Sequence, residues 1–368
     1  MLIGNTNLKN IVLPSSIDAQ ALVNMTLTDN VSYADILTDI SQALVVASDE
    51  VFGNAELGSM IHVTERSFVE YRHGSSGGFE DHTEFGEADA TRGEFGGHML
   101  PIKRQDRKLG WSQDYLEKAR LFQVEADIAN AISDFKDIIP KRIITRFFKM
   151  EKETGANLGL GATGVSVPFC DAGGSGVDYT PPRGRDGKTF ASSHNHYLRL
   201  DGITQANVET AVEHLWEHGH DGPYVLRASQ ADAAAWVNKA NVTGFVARGS
   251  ALVNYGSGSD LALVGDNYIG VIVTKYGDVL VMLNSRIPTT YWGVHKVYGQ
   301  DDPRNSLWYR INNKRGKSPY LLVPAAKILP VEEAIVAYDG GVAIGEDRTN
   351  GVLVKNAASS TYTTPTIS

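Results

Sequence analysis

The sequence predicts an α+β protein, and three stretches carry that prediction. Ser112 stands as an N-cap ahead of Tyr115, Ala119, Phe122, Ala126, Ala129, Ile132, Phe135 and Ile139, spaced three and four apart. That spacing makes one apolar face of a helix of about seven turns. Residues 60–71, MIHVTERSFVEY, suggest a strand, and HMLPIKRQDRKLGW from His98 suggests its return. From Tyr268 onward the runs IGVIVTK, DVLVML, TTYWGVHKVY and SPYLLV are β-rich and separated by turn signals such as YGD and RNS.

The elements follow in chain order. Residues 1–55 mix short apolar runs with polar turns and carry one helical stripe at Tyr33, Ile36, Ile40 and Leu44, so they predict an arm with a short helix. Between the two strands of residues 56–110 lies HGSSGGFEDHTEFGEADATRGEFGG, a long polar hairpin with glycine at both bases. Loops of this length inside a domain are uncommon and usually functional or disordered. With only Phe79, Phe85 and Phe95 to bury, this one is expected to pack on something other than its own core. Pro140 is expected to end or kink the long helix, after which KRIITRFFKMEKE continues as a second helical segment. Residues 155–188 are rich in glycine, proline and aspartate and predict an irregular excursion between two folded halves.

The second half opens with Thr204 as an N-cap and Ile203 with Val208 as a hydrophobic staple, leading a helix through Val212, Leu215 and Trp216 to Gly219. PYVLRA then predicts a strand, and Ser229 with Asp232 a capping pair for a helix over SQADAAAWVNKA. The last stretch, NAASSTYTTPTIS, is low in charge and predicts an extended tail.

Composition narrows the function. The 368 residues are 42% hydrophobic and 21% charged, an ordinary globular mixture that disfavours disorder and membrane insertion. Lys and Arg total 34 against 43 Asp and Glu, a formal charge of −9, so general attraction to nucleic acid phosphate is missing. The one cysteine, Cys170, supports neither a disulfide framework nor a thiolate metal site. No window reaches the roughly 18 apolar residues of a spanning helix.

The chemical motifs weigh towards structure. Gly159, Gly161 and Gly164 spell GxGxxG, but the strand before and helix after that a dinucleotide site needs are absent. PPRGRDGKT approaches a phosphate loop but has Pro182, without an N–H, where the first glycine belongs. His214, His218 and His220 are the best metal candidates, since residues four apart share a helix face. Their place at a helix C-terminus, with no carboxylate set as in HExxH, favours a structural role. The contiguous His194-Asn195-His196 lacks the spread of an HNH nuclease motif and is expected to be a chance match. No catalytic, cofactor-binding or metal residue is assigned, and the chain is expected not to be an enzyme.

The order of parts resembles the major capsid protein of tailed bacteriophages, the Hong Kong 97 fold. Two stretches are similar to patterns of that family: Asp186, Gly187, Phe190 and His194 in DGKTFASSHNHY, with Thr189 where leucine is usual, and PYVLRASQADAAAW. The resemblance implies an N-terminal arm at 1–55 and an extended loop at 56–110. It implies a peripheral domain with spine helix and glycine-rich insertion at 111–204, an axial domain at 205–325, and a return to the peripheral domain with the tail at 326–368. The function implied is a subunit assembling through hexamers and pentamers into an icosahedral head shell around double-stranded DNA, without sequence-specific DNA binding and without a membrane. Scaffold, portal and decoration proteins are possible partners, and the virion, assembled in the host cytoplasm, is the location.

For such a shell the acidic loop residues Glu80, Asp81, Glu84, Glu87, Asp89 and Glu94 are expected to meet Lys103, Arg104, Arg107 and Lys108, or Lys141, Arg142 and Arg146, of neighbouring copies, and Arg92 is expected to belong to the same subunit interface. Some members of the family join that loop to a neighbour through a lysine–asparagine isopeptide bond. Here no lysine lies between Arg72 and Ile102, so no such bond is expected. An encapsulin-like compartment and a metal-dependent enzyme using His214, His218 and His220 are the alternatives.

Overall fold

Among the described residues two large β-sheets and one two-stranded hairpin are arranged around one long helix. The computed structural model describes residues 27, 30, 33–72, 95–100, 102–112, 115, 118–150, 184–191, 194–248, 267–312, 320–324, 331–359 and 361–367. Helix α1 (Tyr33–Gly53) is followed by strands β1 (Ile61–Thr64), β2 (Phe68–Arg72), β3 (Phe95–Met99) and β4 (Lys103–Ser112). Then come α2 (Leu121–Phe148), β5 (Tyr197–Leu200), α3 (Gln205–Glu217), β6 (Tyr224–Ser229) and β7 (Phe245–Ala247). The remaining strands are β8 (Tyr268–Thr274), β9 (Gly277–Asn284), β10 (Tyr291–Lys296), β11 (Leu307–Ile311), β12 (Tyr320–Pro324), β13 (Val331–Ile344) and β14 (Val352–Asn356).

One sheet runs β1-β11-β13-β12, with β4 also on β13; the other runs β5-β14-β10-β6-β9-β8-β7. The second sheet therefore draws strands from both sides of residues 205–325. Strand β4 lies antiparallel along ten residues of β13, from Ser112 opposite Val331 to Lys103 opposite Gly340. The first core buries Leu44, Ala47 and Val51 of α1 against α2 and against Leu307, Tyr309 and Ile344. The second buries Val208, Ala211, Val212 and Leu215 of α3 on the other sheet, beneath Trp236 and Trp292. The C-terminal end of α2 joins them: a Cβ at Gly293 in β10 would lie 2.7 Å from Phe147 Cε1 and 2.8 Å from Leu353 Cδ1, so only glycine lets the helix end approach. Thr204 caps α3 as expected, its hydroxyl accepting from Asn207 N–H at 3.3 Å, with Ile203 and Val208 both buried.

Several expectations are corrected. The long helix starts at Leu121, because Ser112 is the end of β4 and pairs with β13. Its first turn is closed by Gln123 Oε1 accepting from Arg120 N–H at 3.1 Å. The buried stripe is Val124, Ile128, Ala131, Ile139, Ile143, Ile144, Phe147 and Phe148, whereas Phe122 is 75% exposed and Ala126 and Ala129 face solvent. Pro140 lies inside the helix without ending it. An interior proline costs about 3 kcal/mol or more, which is offset by the five large apolar side chains buried around and beyond it, each worth roughly 1.5–3 kcal/mol.

Over SQADAAAWVNKA there is only a 3-10 turn and one helical turn ending at Trp236. Asp232 there accepts from Thr290 N–H at 3.1 Å, and buried Trp236 meets Trp292 edge-on at 5.5 Å. The C-terminal stretch, without helix or strand over 357–359 and 361–367, is packed down: Tyr362 and Ile367 are buried in the first core and Tyr362 Oη donates to Phe148 O at 2.8 Å. The GxGxxG glycines, Cys170 and Pro182 lie outside the described residues. Among the described residues no helix is long and apolar enough to cross a membrane.

Candidate assembly surface and histidine cluster

The hairpin expected from the sequence is built from β2 and β3 alone, antiparallel with Phe68 opposite Met99 and Arg72 opposite Phe95. Its flanking strands serve the five-stranded sheet instead, β1 parallel to β11 and β4 antiparallel to β13. A two-stranded hairpin is marginal by itself, and this one is anchored by buried Val69, packed with Leu100, Trp308 and Ala343. Glu80, Asp81, Glu84, Glu87, Asp89 and Arg92 lie outside the described residues.

Among the described residues β4 pairs with β13 only and carries the sequence KRQDRK, a charged edge of the kind that discourages unspecific strand addition. Lys103 and Arg104 are exposed, and Lys108 stands opposite Ile335. Two of the expected basic contacts have partners within the chain. Arg104 Nε bonds Asp106 at 2.8 Å, and Arg107 forms an ion pair with Asp134 of α2. Sequence reasoning missed two exposed apolar side chains on the helices, Phe122 of α2 and Val46 of α1. The only signal available for Phe122 was that it lies off the stripe running through Val124, Ile128 and Ala131.

The histidines converge differently from the expected trio. His220 is held apart, Nδ1 2.7 Å from Tyr298 Oη and Nε2 2.8 Å from Thr349 Oγ1, while His214 Nδ1 bonds Thr210 O at 3.0 Å. His218, at the C-terminal end of α3, instead meets His194 and His196. Their Nε2 atoms are 3.2 Å apart for His194 and His196, 3.0 Å for His194 and His218, and 3.1 Å for His218 and His196. The HNH tripeptide thus supplies two of the three imidazoles, and its partner is a helix end, not a nuclease frame.

Residues 184–191 and 194–196 reach that helix end through a series of contacts. Arg185 Nη2 bonds Asp221 at 2.5 Å and its guanidinium lies over the Trp216 ring. Lys188 Nζ bonds Glu217 at 2.5 Å, and Phe190 stacks on His218 with ring centroids 4.2 Å apart. A Cβ at Gly184 would lie 2.4 Å from Glu217 O, so the segment approaches the helix as closely as a backbone can. Burial, reinforced by the neighbouring imidazoles, lowers His194 to about 4, His218 to about 2 and His196 well below its ordinary value. All three are therefore neutral at pH 7, with ring nitrogen lone pairs available.

No family model matches the sequence. No curated protein matches it either. A chain from a structure of Mycobacterium phage Patience is similar over 94% of this chain and 94% of its own, with 17% identity and a TM-score of 0.64. A capsid chain of the native GTA particle is similar over 83% of this chain and 91% of its own, at 14% identity and a TM-score of 0.45. For the capsid of Ralstonia phage GP4 the figures are 82%, 86%, 9% and 0.47. The Patience likeness, extending over nearly the whole of both chains, establishes the fold as α+β of the Hong Kong 97 type.

Proposed function

We propose that this chain is the major capsid protein of a tailed phage, a structural subunit that assembles with copies of itself into the icosahedral head shell. The observation that carries the reading is the fold shared with a phage chain over 94% of both chains. The resemblance of the sequence to phage capsid subunits supports the same conclusion, as does the solvent-facing position of Phe122 at the start of the spine helix.

On this reading residues 1–55 are the arm, 56–110 the extended loop, 111–204 and 326–368 the peripheral domain, and 205–325 the axial domain. The acids of the loop meet the charged edge of β4 on neighbouring copies. The role is structural and not enzymatic, the partners are further copies in hexamers and pentamers, and the place is the virion shell, assembled in the host cytoplasm. Portal, scaffold and decoration proteins complete such a head. DNA is enclosed by a chain whose charge of −9 keeps its surface from adhering to phosphate.

The test is assembly. The full chain, expressed with any scaffold protein encoded beside it, is expected to sediment as large closed particles. Failure to exceed a dimer under every condition tried would refute the reading.

A further inference from the structure

We propose that His194, His196 and His218 form a binding site for one Zn2+ ion that fastens residues 194–196 to the C-terminal end of α3. The three side chains are the one cluster of metal-ligating groups found among the described residues. Nothing in a shell-forming role requires them.

Three imidazole nitrogens bound to zinc at 2.0–2.1 Å in a tetrahedron lie about 3.3 Å from one another. The three Nε2 atoms here are separated by 3.0, 3.1 and 3.2 Å, so an ion at their centre requires movements of only a few tenths of an ångström. Three protein ligands leave one position for a solvent molecule.

Protons alone cannot satisfy the three contacts. An imidazole nitrogen has one in-plane position, occupied either by a hydrogen or by a lone pair. Among three nitrogens in mutual contact, at least two must be of the same kind, so at least one of the three contacts is lone pair against lone pair or hydrogen against hydrogen. No arrangement of protons satisfies all three. A cation satisfies them together.

His196 Nδ1 donates to Gly351 O at 2.7 Å, which fixes its tautomer and turns the Nε2 lone pair towards the other two rings. Metal-bound histidines are typically held in this way by a backbone carbonyl or carboxylate. Phe190 against His218, and His214 stacked on His194 at 5.2 Å, hold the remaining rings in place. The donor set is three neutral nitrogens with no thiolate and no carboxylate, which suits zinc and excludes calcium and magnesium.

The consequence is mechanical. His194 and His196 directly precede β5, which lies at the edge of the seven-stranded sheet against β14, and Gly351 directly precedes β14. One ion thereby fastens the segment entering the sheet to α3, the helix that covers it.

The test uses the full chain, stripped with a chelator and titrated with ZnCl2. One equivalent is expected to bind per chain, with a thermal midpoint that rises as Zn2+ is added. His194→Gln with His218→Gln is expected to weaken binding at least about 100-fold, beyond the loss typical for a supporting hydrogen bond. Absence of a stoichiometric equivalent in the wild type, or unchanged affinity in the double variant, would overturn the site. If the double variant does not fold, X-ray absorption on the zinc-loaded wild type decides: scattering from three imidazole rings supports the site, and an oxygen-only shell refutes it.

Discussion

His98 lies fully buried in β3, and burial together with the charges of Arg146 and Arg348 lowers its pKa from 6.5 to about 3. His295, buried beside Arg227, is also held well below 6.5, with its Nε2 accepting from Arg227 Nε at 2.9 Å. Both are neutral in the folded chain, and the unfolded chain takes up protons first as the pH falls. Their contribution to stability is complete above pH 6.5 and is lost progressively as the pH drops towards 3. The thermal midpoint of the subunit should therefore fall steadily between pH 6.5 and pH 4, and His98→Gln should flatten that slope; an unchanged slope would place the acid sensitivity elsewhere. At Gly293 the prediction is steric. Gly293→Ala, which puts a methyl group against Phe147 and Leu353, should cost about 1–3 kcal/mol in denaturant unfolding. The loop composition gives a third: with no lysine from Arg72 to Ile102, particles boiled in detergent should run as one band no larger than 39.9 kDa, and a ladder of multimers would contradict this.

At the scale of elements, the hairpin and the spine helix make separable predictions. Because Arg72 pairs with Phe95, residues 75–92 can be replaced by a short turn without disturbing the β2–β3 ladder. Subunit unfolding should change little while assembly is lost, and a subunit that unfolds would assign the loop to the core. Phe122→Ser should likewise impair assembly at nearly constant subunit stability, because the side chain is 75% exposed. Of the edge-strand basic residues Arg104 is the cleaner probe. Arg107→Glu would set a carboxylate beside Asp134 and disturb the subunit itself, by an amount no larger than the roughly 1 kcal/mol of an exposed pair.

The hairpin was legible because glycines flank an otherwise polar insertion between two apolar strands, and the α3 cap because Thr204 and its staple are adjacent in sequence. The start of α2 was not. Residues 122, 126 and 129 and residues 124, 128 and 131 both repeat at helical spacing, and only the packing of α1 and the first sheet selects the second set. The histidine cluster joins residues 22 and 24 positions apart. His194 and His196 are near neighbours in the sequence; what brings His218 to them is the docking of residues 184–191 and 194–196 on α3, a tertiary fact.

For the whole molecule, the two sheets and the helix between them form a subunit whose cores are closed, with a charged edge strand and an exposed aromatic on the spine helix left at the surface. On the proposed reading the chain gains its function by repetition. Many weak contacts, each worth at most about 1 kcal/mol if ionic and exposed, sum over a shell, so assembly should weaken as salt screens them. The most direct measurement is electron microscopy of the purified full-length chain, expressed with any neighbouring scaffold protein. Closed icosahedral shells built of hexamers and pentamers are the result this account predicts, and a population that remains monomeric or dimeric across salt, pH and concentration would contradict it.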